Sequence, residues 1–435
     1  VVDRRRITQL PLNGRNFAQL AVLAAPGVRT GYQSFGNGVR LYASGQRENQ
    51  NQFTMDGIVI QNNLINATSF RPSVEAIEEF QVQTGSFSAE FGMFSGAQVN
   101  IALRSGTNAF HATLFEFLRN DRLDARGFFE RPGDTKAPLR RNQFGGVFSG
   151  PLILPGLYSG RDRTFFMVNS EIVRHRVGGS RPVVVAPIAF RNGDFSDLLA
   201  GNRTIRDPLT GHPFPGNTIP RERLSPSALA LLRYMPEPNQ AGVTNYQGRT
   251  RNDSDNNQHL VRIDHVFSPN DRLFGRYIYQ TNRIDEQAVV PVDVRSEPIK
   301  DQSVALNETH IFRANVLNEL RVGYTRLRLD RTNPFTNTNF SIQREFGMVG
   351  FPEDPFQTGL PGINITGFLG LSSSGPLEQV DETGQLADNL SWIRGRHSFK
   401  MGVDLRKTRI ARRSANWPRG DINFTGDITG HAFAD

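Results

Sequence analysis

The stretch that decides the fold runs from Met55 to Asp121. It opens with Thr54-Met55-Asp56-Gly57-Ile58 and continues through Val74-Glu75-Ala76-Ile77-Glu78-Glu79-Phe80-Gln81-Val82. It then reaches Asn100-Ile101-Ala102-Leu103-Arg104-Ser105-Gly106-Thr107-Asn108 and Phe110-His111-Ala112-Thr113-Leu114-Phe115-Glu116-Phe117. Before Ser105 come short strand-like segments punctuated by a helix start at Pro72-Ser73. After it come strand-length segments whose connections are alternately long and short. Such a change inside one continuous stretch marks a seam between two differently built units.

Beyond the seam, strands are expected at about 109–118, 142–150, 163–173, 258–267, 272–281, 303–312, 317–328, 385–393 and 397–408. Their lengths suit a tilted bilayer crossing of roughly 9 to 11 residues. The connections carry the stronger argument. They run long (119–141), moderate (151–162), very long (174–257), tight (Ser268-Pro269-Asn270-Asp271), moderate (282–302), tight (around Ala314), very long (329–384) and tight (around Gly395). Every second link is the shorter one, the asymmetry of a transmembrane barrel with short periplasmic turns and long extracellular loops.

Alternation assigns faces where it is clean. Phe399, Met401, Val403 and Leu405 form one face of the last strand, while Ser398, Lys400, Gly402, Asp404 and Arg406 form the other. Leu320, Val322 and Tyr324 oppose Glu319, Arg321, Gly323 and Thr325 in the same way. A half-buried soluble strand would alternate too, so the inference rests on the set. Tyr277, Tyr279, Trp392 and Phe399 are candidates for interfacial aromatic girdles.

Composition fits a β-rich chain. Gly 41 and Phe 32 against Cys 0 suit many turns and aromatic strands, without a disulfide framework or a cysteine-based zinc site. The longest nearly apolar run, Leu20 to Val28, is far short of the roughly 18 residues of a spanning helix, so any crossing must use strands. The net charge of +8 invites a nucleic-acid reading, but it is nearly all arginine and is spread along the chain rather than gathered in a stripe. No nucleic-acid partner is expected. The cluster Arg406-Lys407-Thr408-Arg409 with Arg412-Arg413 follows a strand and is read as an exposed strand end or a lipopolysaccharide-facing rim.

Residues 1–106 read as a small α/β domain. Asn16 is a candidate N-cap for a short helix through Leu23, stopped by Pro26-Gly27. A second short helix is expected from Ser73, with Glu75 near the positive end of its dipole. Strands are expected at 39–43, 53–58, 79–84 and 98–104. Asp56-Gly57 is read as a tight turn with no ligand, since Asp-Gly suits positive φ.

The segments Leu10-Pro11-Leu12-Asn13-Gly14-Arg15-Asn16, Pro26-Gly27-Val28, Gly45-Gln46-Arg47 with Asn49, Asp56-Gly57 and Ser88-Ala89-Glu90-Phe91-Gly92 with Ser95-Gly96 resemble the plug of TonB-dependent outer-membrane receptors of the Oar-like type. Ala97 departs from the pattern, which usually shows a second glycine there. The resemblance implies a plug domain over 1–106 and the N-terminal portion of an antiparallel outer-membrane β-barrel over 107–435, with long extracellular loops at 174–257 and 329–384. The chain starts Val1-Val2-Asp3, without Met or a basic-then-apolar leader, and is read as a fragment. Receptors of this size have about 22 strands, so nine would leave the barrel unclosed.

By the same resemblance the protein resides in the bacterial outer membrane. It would capture an unidentified external ligand with its loops and import it past the plug, using energy from a TonB complex that engages a segment upstream of residue 1. Outer-membrane lipid and lipopolysaccharide are the other expected partners. The alternative is an Oar-like protein serving adhesion or secretion without transport; a soluble β-rich binding protein ranks third.

Chemistry-bearing constellations do not emerge. The histidines at 111, 175, 212, 259, 265, 310, 397 and 431 form no His-x-x-x-His pair, and there is no phosphate-binding loop, Gly-x-Ser-x-Gly elbow or dinucleotide fingerprint. His259 and His265 are expected on opposite faces of one strand. No catalytic, cofactor-binding or metal-binding residue is assigned, no cofactor is expected, and the chain is read as a non-enzyme. In the loop 174–257 the apolar run Ser227 to Met235, ending at Pro236, is read as a packing helix that holds the loop closed.

Overall fold

The structure, a computed structural model, describes residues 1–31, 40–85, 87–126, 128, 136–415 and 417–435. Val39, at the head of the strand expected over 39–43, lies outside them, as do 127 and 129–135 in the connection expected over 119–141.

The first unit is a mixed sheet. In spatial order its strands are Val2–Asp3, Ile77–Thr84, Ala97–Leu103, Gln52–Met55 and Ile58–Val59, with Gln52–Met55 parallel to Ala97–Leu103 and the other pairs antiparallel. Asn16 accepts from the Ala18 amide and starts a 3-10 turn, Phe17–Leu20, which runs into Ala21–Ala24. The helix expected from Ser73 is a single 3-10 turn, Val74–Ala76, in which the Ser73 side chain makes no cap. Ala97 is fully buried, its amide donating to Asn51 Oδ1 at 2.7 Å, so this position needs no glycine. Phe53, Phe70, Phe80, Met55, Ile77 and Ile101 fill the core.

The second unit is one nine-stranded antiparallel sheet among the described residues: β1 His111–Asn120, β2 Leu139–Pro151, β3 Thr164–Val183, β4 Tyr246–Ser268, β5 Asp271–Gln287, β6 Val294–Arg313, β7 Val316–Arg331, β8 Leu377–Arg394 and β9 His397–Ser414. Each strand pairs with the next in sequence, and β1 and β9 remain unpaired edges, so the barrel is open. No helix among the described residues is long and apolar enough to cross a membrane.

Burial in this sheet is inside out relative to a water-soluble protein. Its buried face carries Gln143, Glu171, Gln258, Arg262, Arg276, Gln280, Asp301 and Gln385, while the exposed face carries Val261, Ile263, Leu306, Val322, Leu386, Met401, Val403 and Leu405. Apolar side chains outward and polar ones inward are what a lipid-facing barrel wall requires.

The strands run longer than expected, mainly at the end that carries the long connections, and the moderate link expected over 282–302 shrinks to 288–293. β3 continues to Val183 rather than 173, β4 begins at Tyr246 rather than 258, and β8 begins at Leu377 rather than 385. The added residues of β4 include Asn252-Asp253-Ser254-Asp255-Asn256-Asn257, which show no apolar alternation; cross-strand backbone hydrogen bonds carry them above the apolar band. His259 and His265 also depart from expectation. They have the same parity in β4, and therefore share a face, where each meets its cross-strand partner: Ser170 Oγ lies 3.0 Å from His259 Nδ1, and Thr164 Oγ1 lies 2.6 Å from His265 Nδ1.

The connections between β3 and β4 and between β7 and β8 fold together over one end of the sheet. The helix Pro226–Leu232, capped by Ser225, sets Leu231 and Met235 against Ile342 and Phe346 of the helix Ile342–Phe346. A second cluster gathers Phe190, Phe195, Ile205, Phe214 and Ile219. The short strand Asp421–Phe424 adds in parallel to Gly362–Ile365.

Candidate functional site

The sheet of the first unit lies against the inner face of the second, and their boundary is rich in polar contacts. At its centre is the two-residue turn between Gln52–Met55 and Ile58–Val59. Asp56 and Gly57 both adopt positive φ, 51° and 80°, as such a hairpin demands. The turn points Asp56 into the wall of the larger sheet. Its Oδ1 accepts from the Leu103 amide at 3.0 Å and lies 3.4 Å from Arg262 Nη1, while its Oδ2 lies 3.0 Å from Arg276 Nε. Arg276 also donates from Nη2 to Met55 O at 2.8 Å, and Arg262 from Nη1 to Leu103 O at 3.3 Å. Both arginines come from inward positions of adjacent strands, β4 and β5.

The same hairpin is held from the other side. The Val59 amide donates to Gln385 Oε1 at 2.9 Å, and Thr325 Oγ1 donates to Val59 O at 2.8 Å. The Asn63 amide and Nδ2 donate to Asp381 at 2.6 and 2.8 Å, with Nδ2 also 2.9 Å from Thr383 Oγ1. Gly323 in β7 lets the surfaces close, because a Cβ there would collide with Ile58. Gly57 is constrained likewise: besides its φ, a Cβ would stand 2.9 Å from Arg321 Cδ.

The segment Leu10 to Asn16 ties the opposite flank. Gly14 O accepts from Arg141 Nη2 at 3.1 Å, and Arg15 pairs with Glu75 while its guanidinium lies 4.2 Å from the Phe117 ring centroid. Ser73 and Arg71 bracket Gln258, whose Oε1 accepts from the Ser73 amide at 3.2 Å and whose Nε2 donates to Arg71 O at 3.1 Å. Glu90 lies 2.6 Å from Lys400. The sequence marks Asp56, Gly57 and the Leu10 to Asn16 segment. It does not single out Arg262, Arg276, Asp381 or Gln385, whose only sequence signal is inward parity.

Above the seam the folded connections enclose a cleft of about 390 Å³ lined by Phe195, Phe214, Ile219, Leu231, Met235 and Phe424. Its charged residues are engaged elsewhere: Arg223 Nη2 is 2.8 Å from Asp207 Oδ1, and Arg191 Nη1 donates to Met235 O at 3.2 Å. The cleft therefore offers mainly apolar and aromatic contact. Elsewhere in the folded connections Arg419 pins the segment 357–373, donating from Nε to Leu360 O at 2.9 Å, from Nη1 to Gln357 O at 2.9 Å and from Nη2 to Ser373 O at 2.6 Å. Burial lowers this guanidinium to about 10, still cationic at neutral pH.

One titratable grouping was not visible in sequence spacing. Asp271, Glu308 and His310, beside the tight turn between β4 and β5, bring ligand-type atoms within 4.8 Å of one another, and His310 Nδ1 pairs with Asp271. That pairing accounts for the proximity of two of the three.

Residues 102–435 match the family described as Outer membrane beta barrel domain, and residues 1–98 match TonB-dependent Receptor Plug Domain. Among curated proteins, the TonB-dependent transporter Oar of Myxococcus xanthus is 30% identical over 101 residues, which is 23% of this chain and 9% of that protein. Among solved structures, the outer membrane transporter YddB from Escherichia coli superposes with a TM-score of 0.54 at 12% identity, covering 95% of this chain and 54% of that one. This second likeness is one of fold, and the chain spans about half the length of that transporter.

Proposed function

The chain belongs to the outer-membrane β-barrel family and carries a TonB-dependent receptor plug, and on that premise we propose that it forms the gated half of a receptor that takes up an external ligand. Its place is the bacterial outer membrane. In this reading residues 1–106 are the plug, residues 107–435 are barrel, and the connections 184–245 and 332–376 are the external capture surface. A TonB complex would supply the force that shifts the plug, through a segment upstream of residue 1.

The observation that carries the reading is the chemistry of the seam. Plug and wall meet through hydrogen bonds and ion pairs around Asp56, Val59 and Asn63, beside a smaller apolar contact in which Val147, Met167, Leu260 and Ile278 of the wall join the plug core. Water can replace such contacts at a net cost of about 0.5–1.5 kcal/mol each, far less than their gross strength. A plug seated this way is stable at rest and can still be displaced by work.

The cleft above the seam is the candidate first contact for the ligand, and its lining favours an apolar or aromatic moiety. No bond-making chemistry is part of this role. The purified receptor should hydrolyse no ester, peptide, glycoside or phosphate ester above background. The dispersed arginines suit a barrel wall, not a nucleic-acid surface.

The test is a tether. Residues 1–435 contain no cysteine, so Asn63→Cys with Thr383→Cys, in a full-length receptor whose other cysteines, if any, are replaced, introduces one defined disulfide across the seam. Oxidation should abolish the receptor-dependent growth advantage over a deletion strain, and reduction should restore it. Full function with the plug locked would reject transport and leave adhesion or secretion as the role.

A further inference from the structure

The short parallel pair Gly362–Ile365 and Asp421–Phe424 runs in the register Gly362 with Asp421, Ile363 with Ile422, Asn364 with Asn423 and Ile365 with Phe424. Ile363, Ile365, Ile422 and Phe424 line the apolar cleft. A second cleft, of about 310 Å³, reaches the start of the same pair at Gly362 and Gly420. A strand rises about 3.3 Å per residue, so Gly362 and Ile365 stand about 10 Å apart. The two clefts therefore adjoin along one short ladder.

The second cleft has the opposite chemistry. Arg331, Arg412 and Arg419 line it against a single carboxylate, Asp293. Arg331 is matched by Glu297 at 2.6 Å. Arg412 donates from Nε to Ser414 Oγ at 3.2 Å and forms no ion pair among the described residues. Arg419 is only 3% exposed, and its donors go to the main-chain carbonyls of Gln357, Leu360 and Ser373, not to a carboxylate. With Arg331 matched and Asp293 set against one of the other two, a single positive charge is left over. Unmatched donors point the same way. Ser372-Ser373-Ser374-Gly375 forms part of the wall, and its amides donate to no protein group among the described residues. Ser373 is 8% exposed, and a buried amide without a partner is rare in folded proteins. Successive free amides make a concavity suited to anions.

We infer that the adjoining clefts hold one amphiphile, an apolar or aromatic body against Ile365 and Phe424 joined to a carboxylate that sits between Arg412 and the amides of the 372–375 run. A guanidinium offers charge-assisted hydrogen bonds to carboxylate oxygens, and the free amides supply further donors. The single excess charge selects a carboxylate over a phosphate dianion. This builds on the external capture surface proposed above and narrows what that surface captures.

The experiment uses the full-length receptor in lipid nanodiscs, with empty nanodiscs subtracted, and two fluorescent probes that share one aromatic body: 6-(dansylamino)hexanoate and its carboxamide. The parent should bind the carboxylate about tenfold tighter than the carboxamide. Arg412→Glu should bring the carboxylate down to the carboxamide level and leave the carboxamide unchanged, whereas Arg412→Lys should keep the preference. Phe424→Asp should weaken both probes. Equal affinity of the two probes in the parent overturns the inference, as does failure of both to bind or a preference that survives Arg412→Glu. If Arg412→Glu loses both probes, Arg412→Gln decides: a retained preference overturns the inference, and a lost preference with the carboxamide still bound supports it. The same titration on the oxidised Asn63→Cys with Thr383→Cys receptor separates this inference from the uptake reading. A carboxylate preference there with undiminished growth rejects transport and leaves the amphiphile site standing; lost growth without that preference rejects the amphiphile site alone.

Discussion

Asp56 Oδ2 lies 3.0 Å from Arg276 Nε across the boundary between the plug and the barrel wall, and the Arg276 side chain is 0% exposed. A buried arginine needs a counter-charge, and a hairpin turn of the neighbouring domain supplies it. This buried ion pair therefore belongs to neither domain alone.

Asp56→Asn keeps the acceptor for the Leu103 amide but removes the charge facing two arginines. Leaving one partner of a buried pair uncompensated costs about 3–5 kcal/mol. The plug of the variant should become protease-sensitive in the detergent-solubilised receptor at a temperature where the parent resists. Adding Arg276→Met should cost much less than the sum of the single changes, because the two groups are coupled. Additive losses would show that the pair is not an interacting unit.

Gly323→Val places a branched side chain where Ile58 already stands. Overpacking of this kind costs about 1–3 kcal/mol. Thermal unfolding should show a destabilised plug, and Ile58→Ala introduced into Gly323→Val should recover part of the loss although it removes a buried side chain. No recovery would mean that the strain lies elsewhere.

Val403→Arg and Lys400→Ala test the parity of β9. Val403 is outward and exposed among Met401 and Leu405, so an arginine there should cost roughly 2–4 kcal/mol near the membrane midplane and less near an interface. Lys400 is inward and half exposed beside Glu90, a pairing that contributes about 0–1 kcal/mol. Equilibrium folding into bilayers compares the two directly. Greater damage from Lys400→Ala would reverse the assignment of faces.

The loop cap should loosen in mild acid. His431 packs edge-on against Phe190, Phe195 and Phe368, and burial, with the charge of Arg203, lowers its pKa from 6.5, while Asp435 opposes the shift. A base whose folded pKa lies below its unfolded value binds its proton more readily when unfolded. Its contribution is complete above about pH 6.5 and is lost as pH falls toward the folded value. Limited proteolysis of the cap should accelerate between pH 7.5 and pH 5, and His431→Leu should flatten that dependence. A pH profile identical in the variant would assign the effect to another group.

Much of the barrel was legible in the chain because lipid imposes a period of two. Phe399, Met401, Val403 and Leu405 can only share a face, and tight turns at Asn270, Ala314 and Gly395 set which strands are neighbours. Above the lipid that constraint lapses. The run Asn252 to Asn257 has no alternation, yet it remains strand because its backbone groups pair with β3 and β5, so strand ends escaped the sequence while strand order did not.

The sequence by itself determined the antiparallel order and the two faces of the wall, because these follow from local periodicity, turn chemistry and the lengths of connections, while the class came from the resemblance of its plug motifs. Only the tertiary structure decided that Asp56 meets Arg262 and Arg276, that Asn63 meets Asp381, and that Gly323 makes room for Ile58. Those partners lie far apart along the chain. An inward polar side chain on a strand announces its direction but not what waits across the lumen, and that depends on where the folded plug comes to rest.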